Sequence, residues 1–79
     1  MRARHAYRLI LTRGGRAPAL LADATRGDHI EVVEIDSGEV VLFWDRAPLE
    51  ASKLARELRA DLARLDAAEF IARWSTVED

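Results

Sequence analysis

Apolar and polar positions change their spacing several times along this chain, and the changes outline its elements. From Ala6 to Thr12 they alternate: Tyr7, Leu9 and Leu11 fall to one side, Ala6, Arg8, Ile10 and Thr12 to the other. Strand side chains alternate between faces, so this spacing predicts a strand over about 5–12 with one buried face. Arg13-Gly14-Gly15-Arg16 follows, and a Gly-Gly pair suits the two positive-φ positions of a tight hairpin turn. Residues 17–25 carry contrary signals. Pro18 and the alanines suit a short helix with Gly27 past its end, while the turn asks for a returning strand. We expect the strand, at a sheet edge, because Pro18 has no amide hydrogen to donate.

The next hairpin is the clearest. Ile30, Val32, Val33 and Ile35 predict a strand over 29–36, Asp36-Ser37-Gly38-Glu39 supplies turn chemistry, and Val40 to Trp44 predicts a strand over 39–45. The second strand is apolar on both faces, with Phe43 and Trp44 on opposite sides. It is therefore expected to be the more buried of the two, one face against the helix that follows and the other against some further covering element.

That helix is predicted over 48–65. Pro48 fits a first turn, where a missing amide hydrogen costs nothing. Ala51, Leu54, Ala55, Leu58, Leu62 and Leu65 form one apolar stripe, and Lys53, Arg56, Glu57, Arg59, Asp61 and Arg64 fill the polar remainder. Lys53 with Glu57 and Asp61 with Arg64 are spaced to pair on that polar face. After Leu65 the stripe fails: at about 100° per residue, Phe70 lies about 120° away from Leu58. Asp66 with Glu69 three residues later resembles a capping box, so a break near Asp66 and a short terminal helix over 66–74 are expected. The alternative is one continuous helix that presents Phe70, Ile71 and Trp74 to a second subunit. The fold class is therefore α+β: an antiparallel meander of three or four strands packed by an amphipathic helix and a short terminal helix.

Composition narrows the function classes. Seventy-nine residues make a single domain, and with 49% hydrophobic and 33% charged residues it is expected to fold. The absence of cysteine removes disulfides, thiolate metal sites and thiol nucleophiles, and suits a reducing compartment, so a cytoplasmic location is expected. No apolar run approaches a membrane span, and the first residues lack the apolar core of a signal peptide. Eleven arginines against one lysine, with fourteen alanines, suggest a GC-rich and bacterial genome.

Charge is uneven. Residues 1–26 carry six arginines against Asp23 alone, while 27–79 carry six bases against thirteen acids. Arg4, Arg8, Arg13 and Arg16, interleaved with His5 and Tyr7, could contact phosphates and bases as single-strand binders do. A pI near 5.6 and the lack of any helix-turn-helix, RNA-recognition or zinc-knuckle signature weigh against that. The simpler expectation is solvated arginines on a strand's outer face, near Glu31, Glu34 and Glu39.

His5 and His29 are the only histidines, and their spacing demands neither acid–base chemistry nor metal ligation. Asp36-Ser37-Gly38-Glu39 is too short for a calcium loop, the Gly14-Gly15 stretch lacks the length and lysine of a phosphate loop, and no serine sits in a nucleophile context. Hence no catalytic residue, metal or cofactor is expected. Phe43, Trp44, Phe70, Ile71 and Trp74 exceed the needs of one small sheet and one helix, and large aromatics favour interfaces. The leading expectation is a non-catalytic protein-interaction or assembly module, a homodimer acting through a sheet face and these C-terminal aromatics. The rival is a small nucleic-acid-binding protein using the N-terminal arginines.

Overall fold

In the computed structural model, residues 1–13 and 27–77 are described. The elements in chain order are α1 (Ala3–Ala6), β1 (Tyr7–Thr12), β2 (Asp28–Glu34), β3 (Val40–Arg46), α2 (Pro48–Arg64) and α3 (Ala67–Trp74). The three strands form one antiparallel sheet in the order β1-β2-β3, which together with the helices makes a small α+β domain. The Gly14-Gly15 turn and the strand expected over 17–25 lie outside the described residues.

Register sorts the side chains. Tyr7, Leu9 and Leu11 stand opposite Glu34, Val32 and Ile30, and Ile30 and Val32 stand opposite Trp44 and Leu42. These residues share the inner face, against which the helices pack. The core consists of Ala3, Ile30, Val32, Trp44, Ala51, Ala55, Leu58, Leu62, Phe70 and Trp74, flanked by Tyr7, Leu9, Leu11, Leu42, Leu54, Leu65 and Ile71. Among the described residues, the buried apolar side chains lie on one side of the sheet or in the helices that cover it.

Two expectations need correcting. Strand β3, the most apolar, is not the more buried member of its hairpin: β2 is central because it pairs with β1 as well, which leaves β3 at an edge among the described strands. Residues 3–6 are helical, so the first strand begins at Tyr7 and not near residue 5. The reason is tertiary. Ala3 is fully buried and its amide donates to the Leu65 carbonyl at 3.0 Å, which holds this segment against the end of α2.

The N-terminus also holds the join between α2 and α3. Arg2 bridges to Asp66, the Ala67 amide donates to the Met1 carbonyl at 2.8 Å, and the Arg2 guanidinium donates to the Arg64 carbonyl at 2.9 Å. Carbonyls at the end of α2, which lack intrahelical partners, are thereby satisfied. Glu69 closes a capping box on Asp66, accepting from its amide at 3.3 Å. The break predicted near Asp66 is thus present. It turns α3 back, so that Phe70 stacks on Tyr7 at 5.9 Å and Trp74 meets Trp44 edge-on at 6.0 Å.

The hairpin between β2 and β3 turns through Asp36-Ser37-Gly38-Glu39 as its composition requires. Gly38 takes a φ of 76°, which costs glycine little, and the Ser37 hydroxyl donates to Glu34 at 2.7 Å while accepting from the Glu39 amide at 3.2 Å. The register slips between Val32 and Val33, whose partners are Leu42 and Val40, leaving Val41 as a bulge.

Candidate functional site

The face of the sheet turned away from the helices is built by the same alternation. Reading across the strands, Arg8 stands beside Val33 and Val40, Ile10 beside Glu31 and Phe43, and Thr12 beside His29 and Asp45. Ile10, Val40, Val41 and Phe43 are exposed, Phe43 at 46%, and Ile35 extends the apolar surface beyond the end of β2. Five large hydrophobic residues are therefore exposed on this side of the domain, with Glu31 standing between Ile10 and Phe43.

Polar groups frame this patch. At one end the His29 Nδ1 meets the Asp45 carboxylate, and the imidazole stacks on Phe43 with ring centroids 5.7 Å apart. Arg8 and Glu31 lie on neighbouring strands, diagonal to one another, and among the described residues neither side chain has a hydrogen-bond or ion-pair partner. An unpaired carboxylate among Ile10, Val33 and Phe43 is the least satisfied charge on this face.

The five aromatic-group candidates separate sharply. Trp44, Phe70 and Trp74 are 1%, 0% and 3% exposed and belong to the chain's own core; Ile71 packs partly against that core, and Phe43 alone remains on the surface. The turn at Leu65 and Asp66 explains this, because it spends the off-stripe residues on Tyr7 and Trp44 inside one chain. Both indoles find partners: Trp44 Nε1 donates to the Val77 carbonyl and Trp74 Nε1 to Asp61, each at 3.0 Å.

The arginines face different ways. Arg4 is on α1, Arg8 on the open face, and Arg13 reaches the buried Asp28 at 3.2 Å and Ser52 at 3.4 Å. Arg16 lies outside the described residues. The acids expected beside them are not their partners: Arg13 takes Asp28, not Glu31, Glu34 or Glu39. The two histidines stand near opposite ends of β1, about 20 Å apart on strand geometry, so they do not form a pair. Among the described residues no cluster of three or more His, Asp or Glu is arranged to hold a metal, and no helix is long and apolar enough to cross a membrane.

The most connected charge was the one sequence patterning misassigned. Asp61, counted with the polar face of α2, is buried and holds Arg64 at 2.6 Å, Arg73 at 3.3 Å and the Trp74 indole. Burial alone pushes its carboxyl upward, but the Arg64 and Trp74 hydrogen bonds and the two guanidinium charges outweigh it and hold the group below its ordinary value. Asp61 falls one position before Leu62 and three after Leu58, at the margin of the apolar stripe, which was the available signal. No protein-family model, curated protein or solved structure matches the chain.

Proposed function

We propose that this protein is a non-catalytic assembly module that binds protein through the open face of its sheet. One observation carries the reading: Phe43, with Ile10, Ile35, Val40 and Val41, stays exposed on a face whose opposite side holds the core of the described residues. Covering such a face removes apolar area from water at about 25 cal/mol per Å². The His29–Asp45 pair and the charges of Arg8 and Glu31 supply a polar frame, and aromatic centres with polar margins are the usual anatomy of an interface. A cytoplasmic setting is part of the proposal, supported by the absence of cysteine.

The test compares Phe43→Ser with Leu49→Ser in sedimentation velocity over a concentration series. Leu49 is the more exposed residue at 77%, but it lies in the first turn of α2, away from the face. Association should be lost in the first variant and kept in the second, with both still folded by circular dichroism. The opposite pattern, or equal association of all three proteins, would remove the open face from consideration.

A further inference from the structure

We infer that the occupant of this face is a second copy of the chain, packed face to face about a twofold axis so that Arg8 of each copy meets Glu31 of the other. The inference rests on the assembly reading above and adds the partner and its orientation.

Arg8 and Glu31 are the argument. They occupy one diagonal of the face, on adjacent strands and two residues out of direct opposition, since Arg8 stands across from Val33 and Glu31 across from Ile10. Diagonal positions of this kind are about 7–8 Å apart. Neither charge is used within the described part of the chain. A twofold axis lying between the two sheets and passing midway between these residues lays each arginine over the other copy's glutamate. One geometric choice therefore satisfies two charges twice, which is the self-complementarity an isologous contact requires. Glu31 is half-buried among apolar neighbours, so covering it without a cation would be costly, and the other copy's Arg8 supplies that cation.

The same axis arranges the apolar residues. It brings Ile10 towards Ile10 and Val33 towards Val33 of the other copy, and carries Phe43 towards the region of Ile35. The strands of the two sheets then cross steeply, within the orthogonal class of sheet packing. A face of three strands of six or seven residues spans only about 14 by 23 Å. That is small against the roughly 800 Å² per partner of a standard stable interface, so the dimer is weak and forms in a concentration-dependent way.

The experiment uses charge exchange on the full chain. Sedimentation velocity is run on wild type, Phe43→Ser, Arg8→Glu, Glu31→Arg, the Arg8→Glu/Glu31→Arg double variant, and an equimolar mixture of the two single charge variants, each first checked for a native circular dichroism spectrum. Wild type should shift from 8.9 kDa towards twice that mass as concentration rises. Each single charge reversal should raise the dissociation constant by about tenfold or more, because like charges then meet at both contacts. The double variant and the mixture should each recover the dimer, since both restore opposite charges at both contacts.

A wild type that stays monomeric at every concentration overturns the second copy as occupant while leaving the face to another protein. A dimer indifferent to Phe43→Ser overturns the open-face reading itself. A dimer lost in Phe43→Ser but not recovered in the double variant or the mixture overturns the Arg8–Glu31 orientation.

Discussion

The Trp74 indole N–H donates to the Asp61 carboxylate at 3.0 Å, and both residues are buried. This bond ties α3 to α2 on the far side of the turn that separates them. It also lets a large aromatic lie in the core without stranding its one polar atom; among the described residues no buried polar side chain is left without a partner. Arg64 and Arg73 approach the same carboxylate from the surface, and Arg73 lies over the Trp74 ring at 5.5 Å.

Removing that carboxylate should be costly. Asp61→Ala strands the indole and two guanidinium groups, and should destabilise by about 1–3 kcal/mol, less than for a fully buried pair because both arginines are more than half exposed. Because the folded carboxyl lies below its ordinary value, its contribution is present above the unfolded pKa of about 3.9 and disappears as pH falls through the folded value. Urea unfolding at neutral pH and at successively lower pH should show wild type losing stability below pH about 4, with a shallower decline in Asp61→Asn.

Adjacent residues on β3 should respond oppositely. Trp44→Ala empties the centre of the core and should cost about 3–5 kcal/mol, enough to unfold much of a domain this small. Phe43→Ser removes a side chain from the open face and should change stability by less than about 1 kcal/mol in the monomer. Thermal unfolding at low protein concentration distinguishes them.

Two glycines should differ in kind. A Cβ at Gly27 would lie 2.7 Å from the Arg46 carbonyl oxygen, a backbone atom of the paired strand, so Gly27→Ala should force the ends of β2 and β3 apart at a cost of about 1–3 kcal/mol. A Cβ at Gly38 meets nothing within 4 Å, and its cost comes from φ alone. Gly38→Ala should lose about 1 kcal/mol, and Gly38→Asn less, because asparagine tolerates the left-handed region. Urea denaturation of the three variants reads both effects.

The turn into α3 should depend on its cap. Asp66→Ala removes half of the capping box and should cost about 1 kcal/mol. The loss should appear first as faster amide exchange in Ala67–Trp74, with β2 the slowest segment in both proteins.

Much of the architecture was written locally. The alternation of Tyr7, Leu9 and Leu11, the turn chemistry of Asp36 to Glu39, the stripe on α2 and the Asp66–Glu69 cap each depend on neighbours a few residues away, and each appears where the pattern indicated. The helical turn at Ala3–Ala6 was not legible, because contact with Leu65 and Asp66 holds it and those residues are more than sixty positions distant.

The candidate site was legible only in part. Patterning marked Phe43 and Trp44 as opposite-facing and Phe70, Ile71 and Trp74 as surplus to one helix stripe. It had no means of deciding which of these the chain would use itself. Period and turn chemistry are properties of short segments, so the amino-acid order was enough to specify β1, β2 and β3, the helices α2 and α3, and the break between those two helices. Strand order, the direction in which α3 folds back, the burial of Asp61 and the exposure of Ile10, Val40 and Phe43 arise from contacts between distant segments. A residue's fate there depends on what another element brings to it, and no local pattern encodes that.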